Sequence, residues 1–225
     1  MKKFPSILDL SHMLFLNMAL PLKLQTEWRF LFSTAVHGES FSKMIGHVVG
    51  QGPTLIIIKD TGGHIFGGFA SDSWKIGPNY LGDSTCFLFS LKPCMMVYET
   101  TGYNNHYQYL NIQQQTMPNG LGMGGQFNYF GMWLDAAFGS GHCSETCTTY
   151  KNCPMLSSSK NFTVSHVEVW AVGPKPKSED EDEEEGEGGS KKSILDVDLG
   201  AKALLELVGK SQHSEGIREI DADED

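Results

Sequence analysis

The chain has 225 residues, 40% of them hydrophobic, with 25 glycines and a formal net charge of −10 at pH 7, which suits one ordinary domain with appendages. The negative charge is concentrated at residues 179–187 and after His213, and the remaining sequence is near neutral with no basic stripe, which argues against a nucleic-acid partner. The sequence contains no run of roughly 18 uncharged apolar residues, the length needed to span a membrane. Its five cysteines form no dense framework, which points to a reducing compartment, the cytoplasm.

The first fifth of the chain is predicted to be helical after a short leading segment. Residues 1–20 are expected to form an N-terminal segment ahead of the domain. From residue 21 to about residue 49, Leu24, Trp28 and Leu31 follow i, i+4, i+7 spacing, which predicts a helix with Pro21 in its first turn. Ser40 is the expected N-cap of a second, short helix whose apolar residues between 41 and 48 share one face.

The sequence after residue 50 is typical of short strands separated by turns. A β-branched run at 54–59, a turn at 60–63 and a second run at 64–69 predict a hairpin. Its paired glycines, Gly67 and Gly68, indicate a bulge or a close backbone approach. Further strands are predicted at 86–91, 95–99, 107–111, 129–135 and 166–172. This spacing favours an α+β, mainly β fold, a two-sheet antiparallel β-sandwich flanked by short helices.

The composition changes sharply after Gly173, so the domain is predicted to span residues 21–173. Residues 174–192 are rich in charged residues and glycine and are predicted to form a disordered acidic linker. Residues 193–225 are predicted to hold a C-terminal helix and an acidic tail, with Asp198 as the N-cap of the helix and Gly209 just after it. The apolar stripe of this helix is the predicted partner-binding surface, and it consists of Ala201, Leu204, Leu205 and Val208.

Two motifs suggest chemistry, and each has a structural alternative. Residues 120–125 fit G-x-G-x-x-G, but a dinucleotide site needs a strand before the motif and a helix after it, so a bent glycine loop is the better interpretation. Cys143, Cys147 and Cys153 lie close to His142 and suggest zinc, but no C-x2-C pair is present. Reduced structural cysteines are the favoured alternative, and we expect no metal and no cofactor.

No nucleophile–base pair is encoded locally, and we expect no catalytic residues. Alternation along the strand at 166–172 places Glu168 on one face with His166 and Trp170. Because glutamate is rarely buried, a solvent-exposed carboxylate is favoured over a buried, partnered one. Histidines that could still converge in the folded chain are His37, His64, His106 and His166.

Several strings of residues resemble the TLDc domain family, in the order that the family shows. They are Gly52-Pro53-Thr54-Leu55, Lys59-Asp60, Phe66-Gly67-Gly68-Phe69 with Trp74, Phe87-Leu88-Phe89-Ser90-Leu91, the loop glycines Gly120, Gly122, Gly124 and Gly125, and Glu168-Val169-Trp170. The resemblance runs from about residue 28 to residue 172. Residues 101–104, 119–125 and 211–216 are most similar to the branch of the family that is associated with mTOR.

The resemblance implies a β-sandwich with protein partners and no established catalytic centre. Family members are linked to oxidative-stress resistance and to the vacuolar proton pump (V-ATPase), and the mTOR-associated branch is linked to lysosomal mTOR signalling and, through its C-terminal helix, to the pump. We therefore expect a non-enzymatic cytoplasmic protein that is recruited to the lysosomal membrane and binds V-ATPase subunits and mTOR-pathway proteins. The N-terminal extension of that branch, with its acylated glycine, is absent from this sequence, so we expect no direct membrane insertion. The alternative is an oxidation-resistance factor or a cysteine-based redox enzyme.

Overall fold

A computed structural model describes residues 6–126 and 129–176, and this part of the chain contains ten strands and three α-helices. The helices are α1 (Leu10–Ala19), α2 (Thr34–His37) and α3 (Phe41–Val48), with a 3-10 turn at Leu22–Leu24. The strands are β1 (Trp28–Ser33), β2 (Thr54–Asp60), β3 (Ile65–Ala70), β4 (Phe87–Lys92), β5 (Met96–Glu99), β6 (Tyr109–Asn111), β7 (Gly120–Met123), β8 (Met132–Asp135), β9 (Ser140–His142) and β10 (Asn161–Val172). None of these helices has the length and apolarity to span a bilayer. The predicted C-terminal helix and all but the first three residues of the predicted linker lie outside the described residues.

The strands form two antiparallel sheets that share β10. The first sheet has the order β5-β4-β3-β2-β10-β1, and the second has the order β10-β9-β8-β7-β6. The first three residues of β10 pair with β9, whereas its pairing with β2 begins at Val164. The register shifts between Val164 and His166, and such an irregularity lets a strand bend from one sheet into the next. The mainly β, α+β sandwich predicted from the sequence is confirmed.

The two sheets pack face to face around one apolar core. Ile56 on β2 and Leu88 on β4 share this core with Leu121 on β7 and Leu134 on β8. Helix α3 closes one side of it, with its apolar face buried. The Ser40 hydroxyl accepts the N–H of Lys43 at 3.3 Å, so the predicted capped helix is confirmed.

A second apolar layer lies on the outer face of the first sheet. Ile56 and Ile58 point into the sandwich, whereas Leu55 and Ile57 point outward and pack with Leu16 of α1. Because both faces of β2 are covered, its apolar residues are consecutive and do not alternate with polar ones. Helix α1 is therefore part of the packed body.

The helix predicted from Pro21 onward is wrong. Residues 28–33 form strand β1, in which Trp28 lies opposite Val172 of β10. Leu24 and Trp28 pack in the outer layer, whereas Leu31 packs against the main core, so the three residues do not share a face. Their helical spacing is coincidental, because the pairing with β10 decides the conformation.

Candidate functional site

Glu168 lies in β10 between β1 and β2, and its side chain is fully buried. The carboxylate accepts the hydroxyl of Ser6 at 2.8 Å, the backbone N–H of Ile7 at 2.6 Å and the indole N–H of Trp170 at 3.3 Å. The predicted solvent-exposed carboxylate is therefore wrong. Three donors satisfy a buried charge that would otherwise be costly. Glu168 thus ties the segment ahead of α1 to the last strand of the body.

Gly67 and Gly68 are positions where the fold leaves no room for a side chain. A Cβ at Gly67 would overlap the backbone of Ile56, and a Cβ at Gly68 would overlap the sulfur of Met123. Met123 belongs to β7 of the second sheet, so Gly68 lets the two sheets approach each other closely. Of the two alternatives predicted for this pair, a close backbone approach is found at Gly67, whereas the neighbour of Gly68 is a side chain.

Residues 120–125 form a strand and a bend, where a bent loop was predicted. Gly120–Met123 is β7, paired with β6 and β8. Cβ atoms at Gly120 and Gly122 would collide with the Trp133 ring, and Gly124 and Gly125 have φ angles of +73° and +109°, which favour glycine. The next described element is strand β8. A dinucleotide site needs a helix there, so these glycines serve strand pairing and packing.

The three clustered cysteines are poorly suited to redox chemistry. Burial raises the pKa of the Cys143 thiol to about 12, and burial also raises the pKa of Cys147 and of Cys153. A redox thiol is reactive as a thiolate, which requires a lowered pKa and access to solvent. Within residues 6–126 and 129–176, no group of three His, Cys, Asp or Glu side chains is placed to hold a metal ion.

The four histidines singled out in the sequence have different neighbours. His37 stacks on Phe30 and Phe32, His64 contacts the Leu156 carbonyl, His106 stacks on Tyr80, and His166 contacts the Ser165 hydroxyl.

His37 lies in a partly enclosed position beside a second imidazole. Its Nδ1 accepts the backbone N–H of Ser33 at 3.2 Å, and its ring centroid is 4.4 Å from that of His47. Burial, and then the charges of His47 and Lys43, lower the pKa of His37. The folded protein therefore favours the neutral imidazole at this position.

The outer face of the second sheet carries a cluster of aromatic rings beside a groove. Phe130 and Trp133 stack with their centroids 4.7 Å apart, and Tyr109 packs against both. The adjacent groove has a volume of about 580 Å³ and only uncharged lining residues. We call it the aromatic groove, after its lining by Tyr80, Tyr109, Met117, Pro118 and Tyr129.

Helix α1 carries apolar side chains on the face that points to solvent. The large exposed side chains of α1 recur at i, i+4 and i+8, and one more lies on the 3-10 turn that follows. We call this set the outer stripe: Leu10 (73% exposed), Leu14 (57%), Met18 (81%) and Leu22 (83%). Exposed apolar side chains in such a group mark a docking surface. The outer stripe and the aromatic groove are therefore the candidate interaction surfaces of the body.

The family model for the TLDc domain matches residues 1–173, which include α1 and both sheets. The chain belongs to the TLDc domain family. The resemblance carried by the glycines and by Glu168-Val169-Trp170 is thus confirmed, and the matched region extends beyond residues 28–172 to include α1.

Several known proteins are similar to this TLDc chain. MTOR-associated protein MEAK7 of Gallus gallus is 55% identical over 222 residues, which cover 98% of this chain and 46% of that protein. The protein of the same name from Homo sapiens is 52% identical over 223 residues, with 98% and 47% covered. Oxidation resistance protein 1 of Xenopus tropicalis is 34% identical over 145 residues, with 64% and 16% covered. The chain spans about half the length of the two MEAK7 proteins.

The sequence-predicted residues fall into two groups in this TLDc chain. The six glycines, Glu168 and Trp170 lie within the body, where they pack or form hydrogen bonds. Ala201, Leu204, Leu205 and Val208 lie outside the described residues. The outer stripe was not predicted, although residues 13–20 are visibly apolar, because a helix with apolar side chains on every face shows no clear period.

Proposed function

We propose that this TLDc chain is a non-enzymatic protein-interaction module that binds V-ATPase subunits and mTOR-pathway proteins and is recruited from the cytoplasm to the lysosomal membrane. The observation that carries the proposal is the similarity over 98% of the chain to proteins named MTOR-associated. The exposed outer stripe and the aromatic groove support it, because apolar surfaces of this kind suit protein partners. Glu168, the buried carboxylate of β10, supports it too, since its partners give it a structural role.

The predicted C-terminal helix is the proposed contact with the pump. A helix of about ten residues is too short to be stable alone in water, where roughly 12–15 residues are needed even for marginal stability. Its apolar stripe therefore requires a surface to pack against, and an amphipathic helix that enters a partner's groove is a common solution.

The test replaces two residues of that stripe in the full chain. Leu204→Asp with Leu205→Asp should abolish co-purification of the V-ATPase from lysate and leave the melting temperature of the body unchanged. The matched control is Ala203→Asp with Leu207→Asp, which adds the same charge on the opposite face of the predicted helix and should retain binding. Equal binding by both double variants, or equal loss in both, would contradict the proposal.

A second candidate function is resistance to oxidative stress, which the 34% identity with oxidation resistance protein 1 favours. Because burial raises the pKa of Cys143, Cys147 and Cys153, protection should not depend on their thiols. Cells that express the chain should survive peroxide equally well when all three cysteines are replaced by serine in a variant that still folds. A loss of protection in that variant would favour the redox enzyme instead.

A further inference from the structure

We propose that, in the free chain, residues 199–208 dock on the outer stripe of α1. This inference goes beyond the proposed binding to partners, because it places the predicted C-terminal helix when no partner is present. The proposed contact is intramolecular, and the outer stripe is the surface that receives the helix.

The distribution of polar groups on α1 indicates that its solvent face is normally covered. His12 is buried, and the side-chain oxygen of Asn17 accepts the indole N–H of Trp28 at 2.8 Å. Two of the three polar side chains of α1 are therefore engaged with the body, while Leu14 and Met18 face solvent. A surface helix usually shows the reverse arrangement, and a helix that is apolar all round is usually buried. Among the described residues, nothing covers this face.

The size of the outer stripe favours a single short helix as its occupant. Four exposed side chains are far fewer than the roughly 20–30 residues per side that a stable protein–protein interface takes. Their spacing of four residues along the chain matches the i, i+4 anchors with which one amphipathic helix packs on another. The predicted helix offers four apolar residues at compatible spacing: Ala201, Leu204, Leu205 and Val208.

The chain leaves the body beside the end of the outer stripe. The N–H of Gly173 donates to the Glu27 carbonyl at 2.8 Å, and Gly173 lies so close to Leu24 that a Cβ there would touch the Leu24 side chain. Leu24 and the exposed Leu22 belong to the same 3-10 turn. Gly173 therefore lies beside the end of the outer stripe, and the described chain ends three residues later at Pro176, whose ring would touch a Cβ at Gly52.

The intervening chain is long enough to reach every residue of the outer stripe. Residues 177–200 separate the last described residue from Ala201. A flexible segment of that length has a root-mean-square span of about 25–30 Å, and like charges extend it further. Helix α1, with its ten residues, is only about 15 Å long.

Tethering makes a small contact surface sufficient. A short flexible linker gives an effective concentration in the millimolar range, so a helix too short to bind as a free peptide is populated on its receptor. A partner that binds residues 199–208 has to compete with this contact. Its apparent Kd is the intrinsic Kd divided by the fraction of chains in which the helix is free.

Photo-crosslinking on the purified full chain tests the contact without any partner. A benzoylphenylalanine at position 14 should crosslink to a peptide within 199–208 in the monomer, and tenfold dilution should not change the yield. The same group at position 103, which is exposed in the segment between β5 and β6, should give no such product. A crosslink between two chains, a crosslink to another region or no crosslink would overturn the proposal. So would an unchanged yield in the variant with Leu204→Asp and Leu205→Asp.

Hydrogen exchange provides a second, independent readout. Leu14→Asp with Met18→Asp should make the amides of 199–208 exchange roughly tenfold faster. The melting temperature of the body should change little, because neither side chain packs inside the described body. The matched control, Val36→Asp with Tyr103→Asp, places the same charge at exposed apolar positions elsewhere and should leave the exchange unchanged. Equal exchange in both double variants would overturn the proposal. Because neither measurement involves the V-ATPase, failure here leaves the proposed partner binding intact.

Discussion

The carboxylate of Glu168 accepts three hydrogen bonds, and two of them join the two ends of the body. Ser6 and Ile7 come from the segment ahead of α1, and Trp170 comes from the last strand. Removal of the carboxylate would take this acceptor from the Ser6 hydroxyl and the Ile7 N–H, in a region that is partly buried. A buried donor without an acceptor costs about 1–3 kcal/mol, and the effect is larger for bonds to charged groups.

Glu168→Ala should therefore lower the free energy of unfolding by about 2–4 kcal/mol. Glu168→Gln, which keeps one acceptor oxygen, should fall between this variant and the wild type. Urea unfolding at pH 7.5 measures both, and the exposed Glu39→Ala serves as the control. If Glu168→Ala had the same free energy of unfolding as the wild type, the three hydrogen bonds would make no net contribution to stability.

Gly122 of strand β7 and Gly77 of the segment between β3 and β4 differ in the space around them, and this difference separates packing effects from backbone effects. A Cβ at Gly122 would come within 2.7 Å of the Trp133 ring and 2.8 Å of the Phe130 ring, whereas a Cβ at Gly77 would meet nothing within 4 Å. Gly122→Ala should destabilise the protein by about 1–3 kcal/mol through overpacking. Gly77→Ala should be close to neutral in the same urea titration, and equal effects of the two variants would contradict the packing explanation.

At the scale of single elements, helix α3 contains a glycine with no structural need. Gly46 lies inside the helix, has an ordinary negative φ, and a Cβ at this position would meet nothing within 4 Å. Gly46→Ala should stabilise the protein by about 0.5–1 kcal/mol, because alanine loses less backbone freedom on folding. An unchanged or lower urea midpoint would show that the glycine has another role.

The element formed by β1 and α2 should make stability depend on pH through His37. The pKa of His37 is lower in the folded protein than its ordinary value of 6.5, so the unfolded chain binds more protons below that pH. This contribution to stability is fully present above about pH 6.5 and is lost as the pH falls toward the folded-state pKa. His37→Gln should reduce the difference between the urea midpoints at pH 7.5 and pH 5.5. An unchanged difference between the two midpoints in His37→Gln would contradict the assignment.

The elements also show how far local sequence determines this fold. The hairpin of β2 and β3 and the capped helix α3 were predictable, because β-branched residues, a glycine turn and Ser40 act locally. Strand β1 was mistaken for a helix, since its pairing partner lies near the other end of the domain. Strand β7, Gly120–Met123, contains no β-branched residue, and it exists because β6 and β8 flank it.

The candidate sites were harder to predict than the strands. The burial of Glu168 depends on Ser6 and Ile7, which are more than 160 positions away in sequence. The aromatic groove combines residues from separate segments, and neither spacing nor composition reveals such a surface.

At the scale of the whole molecule, β10 makes the two sheets one structural unit. Its beginning pairs with β9, its later part pairs with β2, and its end pairs with β1. The sheets also share one apolar core. Loss of β10 from either sheet therefore exposes the interior of both.

Unfolding should accordingly be a single cooperative transition in both sheets. Peptides from β3–β4 and from β7–β8 should lose their protection against hydrogen exchange at the same urea concentration, as coincident probes of a two-state transition do. The exposed loop around Tyr103 provides an internal control that exchanges early. Earlier exchange of β7–β8 than of β3–β4 would show that the second sheet unfolds independently.

The position of β10 at the end of the domain also has a consequence for biosynthesis. Translation proceeds at about 5–20 residues per second, so β2 leaves the ribosome roughly 5–20 seconds before its neighbour β10. During that interval one edge of an apolar strand is unpaired, which invites contact with other chains. The bond between Ser6 and Glu168 closes a loop of 162 residues and forms only after that wait. Nascent TLDc chains should therefore depend on chaperones, and substitutions in β10 should reduce the cellular yield of the protein before they measurably change the purified protein.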